Sequence, residues 1–255
     1  MDLQLEGKIA LISGASAGIG RETAKVLAGE GVQTIVVARR KELLDSLADE
    51  VEDAGGARPM TIVEDLTDRS AFPRIRERVL SEYGYIDILI NNLGGSRPLG
   101  LADSDEDWDE AFNFNFTPMR KLSEAFVPVM QARKSGRVIC LTGTFEAWSV
   151  SGSLPAKAAV NVWAKGLSRQ VARDGITVNC VSPGFLLTDQ IVGHFFSTML
   201  PTEEDRERFL QNEIPVGYFG EASDAADLIV FLCSPRARYI TGQRIFVNGS
   251  HNRAL

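Results

Sequence analysis

Short apolar runs rich in isoleucine and valine alternate with longer amphipathic stretches from one end of the chain to the other. The short runs show little polar alternation, which is typical of strands buried on both faces of a parallel sheet. We predict strands over residues 8–13, 34–38, 58–63, 87–91, 137–142, 176–181 and 244–247. We predict helices over residues 19–29, 41–54, 70–83, 108–134, 157–173 and 222–233. This order predicts an α/β fold, a doubly wound parallel sheet of about seven strands with helices on both faces.

One segment breaks the alternation, because residues 187–215 have a helical pattern and contain no strand. An insertion after the carboxyl end of a strand commonly covers the ligand crevice of such a sheet. No Gly/Ser/Pro-rich linker divides the chain, so we predict a single domain over residues 1–255 with a substrate lid at about 188–214. The apolar residues at 194–200 indicate either a substrate of hydrophobic character or simple packing of the lid onto the body.

Composition narrows the function classes. The chain has 255 residues, 44% hydrophobic and 24% charged, with a net charge of −7, which argues against a nucleic-acid partner. No apolar run is long enough to span a membrane, and the N-terminus lacks a signal-peptide pattern, so we expect a cytoplasmic protein. Cys140, Cys180 and Cys233 are far apart, and we expect reduced core thiols. With two histidines and no cysteine pair, no metal site is expected.

A glycine-rich turn lies between the first predicted strand and the first predicted helix. Glycines without a Cβ permit a tight turn and close approach of backbone to a pyrophosphate, and a helix N-terminus offers it free N–H groups. The turn therefore predicts a nucleotide site. Its candidate residues are Gly14, Ser16, Ala17, Gly18, Ile19 and Gly20.

Two arginines follow the second predicted strand, where an acidic residue would instead bond a ribose 2′-hydroxyl and repel a 2′-phosphate. Arg39 and Arg40 stand at this place. Because a guanidinium pairs well with a phosphate dianion, we expect NADP(H) to be preferred over NAD(H). The alternative is that both arginines are solvated charges at the start of a helix.

The Gly-x-x-x-Gly-x-Gly spacing of the turn resembles that of the short-chain dehydrogenase/reductase family, and within it the 3-oxoacyl-[acyl-carrier-protein] reductases. Further along, 91–94, 182–184, 241–243 and 247–249 are similar to signatures of the same family. The resemblance covers essentially the whole chain and implies a Rossmann-type fold, a small-molecule carbonyl or alcohol substrate, and a homodimer or homotetramer. It also implies cofactor contacts at Asp65, Leu66, Asn92, Gly94, Lys157, Pro183, Gly184 and Thr188.

The family's catalytic tyrosine is missing, because Ser153 stands four residues before Lys157. An aliphatic hydroxyl is a weaker acid than a phenol and is shorter, so it reaches the same oxygen only through a water. Asn115 matches the family's catalytic asparagine, and Thr142 or Thr144 could hold the substrate oxygen, with Gly143 the other aligned position. Other interpretations are an N-cap for Ser153, a surface position for Lys157 and backbone bonding within the helix for Asn115. Glu146 is a further candidate acid.

Three functions are therefore open. The first is an NADP(H)-dependent oxidoreductase in which Lys157 and Asn115 relay a proton through water. The second is a cofactor-binding relative without catalysis, which acts as a sensor or partner subunit. The third is a hydrolase with a Ser153–Lys157 dyad, which lacks a glycine-flanked nucleophile turn and leaves the nucleotide turn without a purpose.

Overall fold

Seven parallel strands form one sheet through the centre of the molecule. The computed structural model describes residues 1–144, 147 and 149–253. The strands of this sheet are β1 (Ile9–Ser13), β2 (Gln33–Ala38), β3 (Met60–Val63), β4 (Ile88–Asn91), β5 (Gly136–Leu141), β6 (Ile176–Pro183) and β9 (Arg244–Val247). Two short strands lie outside it, β7 (Leu186–Leu187) and β8 (Gly220–Glu221). The order in the seven-stranded sheet is β3-β2-β1-β4-β5-β6-β9, while β7 and β8 pair separately. The predicted doubly wound sheet is confirmed.

Helices cover both faces of the sheet. They are α1 (Gly18–Gly29), α2 (Lys41–Asp53), α3 (Ala71–Tyr83), α4 (Asp105–Asn115), α5 (Thr117–Arg133), α6 (Ser153–Val171), α7 (Phe196–Met199), α8 (Glu203–Glu213) and α9 (Ala222–Cys233). A five-residue π-helix, Ile191–Phe195, precedes α7. None of the helices in the described part of the chain is long and apolar enough to cross a membrane.

Each central strand contributes to two hydrophobic cores, which explains its continuous apolar sequence. In β1, Ile9 and Leu11 point into the core under α3, α5 and α6. Ala10 and Ile12 point into the opposite core, under α1, α2 and α9. Because successive side chains of a strand face opposite ways, every position in such a strand must be apolar. The three cysteines lie in these cores as free thiols.

The topology places a crevice at the carboxyl end of the sheet. β1 and β4 are neighbours in the sheet, and the strands that follow β1 are added on one side of this pair while those that follow β4 are added on the other. The loops after these two strands therefore diverge, as at the ligand-binding edge of other doubly wound sheets. The hydroxyl of Ser13 joins them, because it accepts the N–H groups of Asn92 (3.0 Å) and Leu93 (3.3 Å).

Two helix predictions were wrong in their bounds. The predicted helix 108–134 is two helices that meet at Phe116, with Pro118 in the first turn of α5. Proline is well suited to a helix start but not to a helix interior, so the break falls there. The helix predicted from residue 157 begins one turn earlier, at Ser153. Residues 187–215 are mainly helical, as predicted, apart from Leu187 at the end of β7.

Candidate active site

One cavity of about 910 Å³ occupies the crevice at the carboxyl edge of the sheet. It runs from the glycine-rich turn after β1 to the first turn of α6 and to the segment after β7. Most of the residues that were predicted to contact the cofactor line this cavity. They are Gly14, Ser16, Ala17, Gly18, Ile19, Arg39, Arg40, Asp65, Leu66, Asn92, Gly94, Lys157, Pro183, Gly184 and Thr188. Thr142, Thr144 and Ser153 also line it, whereas Gly20 and Asn115 lie behind the wall.

The glycine-rich turn is braced from β4. The side-chain amide of Asn92 donates to the carbonyl of Gly14 (3.0 Å). A Cβ on Gly20 would overlap the amide nitrogen of Asn92 and lie 2.6 Å from the Gly14 carbonyl oxygen, so only glycine fits. No side chain caps the N-terminus of α1, and its first turn holds no acidic residue. The N–H groups and the positive end of the helix dipole therefore face the cavity, which suits a pyrophosphate.

Two guanidinium groups stand beside this turn. Arg40 donates to the hydroxyl of Ser16 (3.0 Å), and Arg39 forms an ion pair with Asp65 (3.7 Å). Partial burial would raise the pKa of Asp65, but hydrogen bonds from Thr67 and the charge of Arg39 lower it, so the carboxylate is charged. Both side chains are exposed, so each guanidinium is held at the cavity wall by one polar contact and is also solvated.

Lys157 lies at the base of the cavity, in contrast to a surface lysine, and is only 8% exposed. Its ammonium donates to the carbonyl of Leu141 (2.9 Å). Burial lowers the pKa of Lys157 to about 8 from an ordinary value of 10.5. At neutral pH it is therefore an acid of moderate strength in a buried position.

Asn115 and Gly94 surround the lysine. The Oδ1 atom of Asn115 accepts the N–H of Gly95 (2.9 Å), and its Nδ2 donates to the carbonyl of Ala111 (3.1 Å). A Cβ on Gly94 would overlap the Lys157 ammonium and lie 2.8 Å from Asn115 Oδ1, so the loop reaches this close only as glycine. The backbone bonding expected for Asn115 is present, and it fixes the loop that covers Lys157.

Ser153 does not cap α6, so the N-cap expectation was wrong. Gly152 holds the N-cap position and no side chain caps the helix, because Ser153 is already its first residue. The Ser153 hydroxyl is paired instead with the hydroxyl of Ser151 (2.9 Å), which reaches the Arg97 carbonyl. Among the described residues, Ser153 and Lys157 do not bond to each other. This arrangement gives no support to a nucleophile–base dyad.

The two threonines predicted to hold the substrate oxygen have partners elsewhere. Thr142 shares a 2.6 Å hydrogen bond with Ser182, and Thr144 donates to Asn252 (3.1 Å). Both still line the cavity. A Cβ on Gly143, the other aligned position, would meet nothing within 4 Å. Glu146, the candidate acid of this loop, lies outside the described residues.

The segment after β7 lines one side of the cavity and brings to it the predicted Thr188 together with Gln190, which the sequence analysis did not assign to the site. Thr188 approaches the glycine-rich turn, with its Cγ2 3.3 Å from the position of a Cβ on Gly18. Gln190 reaches Gly95, and Gln190, His194 and Met199 line the cavity. Phe195 packs on Phe185 with ring centroids 5.0 Å apart. The Ser-x-Ser-x-Ser run at 149–153 could have indicated Ser151, but no local pattern indicates Gln190.

Comparison with known proteins shows the family to which the chain belongs. The family described as "Enoyl-(Acyl carrier protein) reductase" matches residues 14–251. The 3-oxoacyl-[acyl-carrier-protein] reductase FabG of Escherichia coli K12 is 34% identical over 251 residues, 97% of this chain and 98% of that protein. The solved L-sorbose reductase of Gluconobacter frateurii, complexed with NADPH and L-sorbose, has a TM-score of 0.93 and 29% identity over 100% of both chains. The NADPH-dependent reductase YwfH, involved in bacilysin biosynthesis, has a TM-score of 0.91 and 27% identity over 97% of this chain and 99% of its own.

These matches define a dinucleotide-dependent oxidoreductase class on a Rossmann-type domain. The chain belongs to the short-chain dehydrogenase/reductase family, as its motifs predicted.

Proposed function

We propose that the protein is an NADP(H)-dependent oxidoreductase that interconverts a carbonyl compound and an alcohol. The observation that carries the proposal is one continuous crevice that joins the glycine-rich turn and Arg39–Arg40 to Lys157 and Ser153. A dinucleotide and a small substrate need such a continuous crevice. The NADPH-bound L-sorbose reductase, similar over the whole chain, supports the same cofactor here.

The residues present fit NADP(H). The uncapped start of α1 suits the pyrophosphate, and Asp65 and Leu66 line the cavity beside Arg39. Arg39 and Arg40 offer two guanidinium groups to a 2′-phosphate. Lys157, Asn92 and Gly94 stand further along, with Pro183, Gly184 and Thr188 on the other wall. We propose NADP(H) in preference to NAD(H) on the strength of the two arginines.

The chemistry needs one hydride and one proton, and NADPH supplies the hydride when bound. The carbonyl carbon gains the hydride with its electron pair, and the oxygen must gain a proton. Among the described residues, Lys157 is the buried cation at the base of the cavity, in the half that would hold the substrate. Burial lowers the pKa of Lys157 to about 8. Ser153 lies one helical turn before it on the same face. In our proposal, Lys157 releases the proton to a bridging water, since no hydrogen bond joins Lys157 to Ser153 in the described part of the chain, and the Ser153–Ser151 hydroxyl pair then conducts a proton to the substrate oxygen.

This assignment departs from the threonine and asparagine roles expected from the sequence. Thr142, Thr144 and Asn115 each hold other partners, so we propose that they support the wall and position Lys157. The test is NADPH consumption against a panel of ketones and aldehydes, with Ser153→Tyr beside the wild type. We expect turnover by both and a faster rate with the phenol. NADPH binding without turnover by either would contradict the proposal.

A second function, cofactor binding without catalysis, is favoured by one observation. Both threonine hydroxyls at the site are hydrogen-bonded within the protein. A sensor or partner subunit would bind NADPH and show no steady-state rate. A rate that collapses in Lys157→Ala, with the fold intact by circular dichroism, would rule this function out.

Three further expectations remain proposals. We propose that residues 188–214 act as a lid, because Thr188 and Gln190 approach loops on both sides of the cavity. A homodimer or homotetramer is supported by Val162, which is 77% exposed on α6. A cytoplasmic location is supported by three free, buried thiols. Light scattering, and limited proteolysis with and without NADPH, would test the oligomer and the lid.

A further inference from the structure

The half of the cavity beyond Lys157 has an apolar lining. Its walls come from four segments of the chain, namely the start of α6, the end of α4, the loop before α6 and the segment after β6. The apolar side chains are Phe114, Val150, Leu154, Phe185, Phe195 and Met199. Between them lie the hydroxyls of Ser96, Ser151 and Ser153. Such a lining stabilises an apolar body and hydrogen-bonds a neutral polar group.

Few charged groups face this half. Among the described lining residues, Lys157 and His194 are its basic side chains and Asp189 is its acidic one. Lys157 lies at the base, where its ammonium is bonded to the Leu141 carbonyl. The guanidinium groups that line the cavity, Arg39 and Arg40, stand at the opposite end and contact Asp65 and Ser16.

Two segments that contribute to the cavity wall are strongly acidic. The first contributes through Ser96 and Pro98 and the second through residues between 189 and 199, and we call the rim that they form the cavity mouth. Of their carboxylates, Asp189 is among the lining residues. Residues 96–110 carry six carboxylates and one guanidinium, and residues 188–214 carry six carboxylates and two guanidinium groups. The net charge of the whole chain is −7, so these two short segments hold more net negative charge than the protein does. The acidic first turn of α4 belongs to the first segment and that of α8 to the second.

The arginines of these segments are already bonded to other groups of the protein, so they do not attract an incoming anion as free cations would. Arg97 is held by Glu110 (2.7 Å) and lies over the Phe114 ring, 4.1 Å from its centroid. Arg206 lies over the Phe196 ring, with its guanidinium carbon 4.6 Å from the ring centroid, and donates to the Leu200 carbonyl. Arg208 forms an ion pair with Asp205 in α8. Each guanidinium is already matched to a carboxylate, a ring or a carbonyl.

We propose that the substrate is an uncharged carbonyl compound with an apolar body, taken up free in solution, and that this mouth excludes anionic acyl carriers. The proposal rests on the reductase function above. A thioester of coenzyme A, or an acyl group on a phosphopantetheine arm, brings phosphates to the mouth, where the two segments carry a net negative charge that remains after their ion pairs are counted. Like charges at a recognition surface lower association rates and affinity, and salt screens them.

Two β-keto thioesters with the same reacting group separate charge from chemistry. S-acetoacetyl-N-acetylcysteamine is neutral, whereas acetoacetyl-coenzyme A is polyanionic. We expect kcat/KM with NADPH to be at least about tenfold higher for the neutral ester at low salt. The gap should narrow as NaCl rises from about 20 to about 500 mM, since the Debye length falls several-fold. Equal kcat/KM at low salt, or a coenzyme A rate that falls with salt, would overturn the proposal.

A matched pair of variants locates the repulsion. Glu106→Gln with Glu204→Gln removes one exposed carboxylate from each flanking segment. Glu77→Gln with Glu82→Gln removes two exposed carboxylates from α3, whose last residues lead into the amino end of β4, whereas the cavity lies at the carboxyl ends of the strands. We expect the first pair to raise kcat/KM for the coenzyme A ester about twofold or more and to leave the neutral ester unchanged. An equal effect from the α3 pair would contradict the assignment to the mouth.

Binding without turnover distinguishes the two proposals. Calorimetry on the NADP⁺-loaded protein measures the Kd of each ester with the nucleotide site filled. Tighter binding of the neutral ester supports the substrate class even if neither ester is reduced, and in that case the reductase function fails alone. Tighter or equal binding of the coenzyme A ester, or no binding of either ester, would overturn the substrate class.

Discussion

The two halves of the cavity are built by different means. The cofactor half is made of turns that are fixed by backbone contacts, such as Asn92 to Gly14 and the Ser13 hydroxyl to the loop after β4. The substrate half is made of side chains from distant segments, and its hydroxyls bond to one another. The first half tolerates no added atom at Gly20, whereas Gly143 in the second has open space around it.

This difference shows where the site can change while the fold persists. A backbone cradle depends on glycines and strand ends, so a substitution there disturbs the sheet as well as the ligand. In the side-chain wall, position 153 carries a serine whose hydroxyl is bonded to Ser151. In our proposal, carbonyl chemistry proceeds at this wall with Lys157 as the proton source.

The comparison predicts the largest effect at Gly20. Gly20→Ala would force a methyl group against Asn92 and the Gly14 carbonyl, so the turn must shift. We expect NADPH affinity to fall by more than about 100-fold, measured by calorimetry. Gly143→Ala is the matched control, and should leave affinity within about twofold. Equal losses in both variants would contradict the contrast between the two halves.

A large effect on activity is expected at Lys157. Lys157→Met removes the proposed proton source and should lower kcat/KM by about 100-fold or more, in line with general acid catalysis. Lys165→Met, on the exposed side of the same helix, is the control and should retain most activity. An active Lys157→Met variant would contradict the assigned role.

The same substitution should stabilise the cofactor-free protein. Burial lowers the pKa of Lys157 to about 8 from 10.5, so the folded state bears the cost of a buried ammonium at pH 7. Between pH 8 and pH 10.5 the unfolded chain binds more protons, so wild-type stability rises with pH. We expect Lys157→Met to gain up to about 3 kcal/mol at pH 7 and the gain to shrink by pH 10 in urea titrations. A stabilisation by Lys157→Met that grows with pH would contradict the lowered pKa of Lys157.

A smaller effect is expected at the arginine pair. Arg40→Ala should weaken NADPH binding by about tenfold and leave NADH within about twofold, because a charge-assisted hydrogen bond to the 2′-phosphate is lost. Arg58→Ala, which removes a surface guanidinium paired with Asp49 and Glu52, is the control. Equal losses for both cofactors would contradict the phosphate role.

Sequence reasoning succeeded where local chemistry decides structure. The seven strands follow from apolar runs, and a tight glycine-rich turn at the cavity follows from three glycines between a strand and a helix. It failed where tertiary contacts decide. The Thr142 hydroxyl turns to Ser182 on the neighbouring strand, a partner that only the fold brings near. The break at Phe116, by contrast, has a local signal in Pro118 that the helical periodicity of 108–134 concealed. The Ser151–Ser153 pair needs a loop conformation that no local pattern specifies.

The central claim is that Lys157, rather than a phenol, is the acid of this site. The pH dependence of kcat/KM for reduction of a neutral ketone tests it most directly, since this ratio reports the groups of the free enzyme. The account predicts a plateau below about pH 8 and a tenfold loss per pH unit above it, following the lowered pKa of Lys157. A rate that stays level from pH 7 to pH 10 would contradict it.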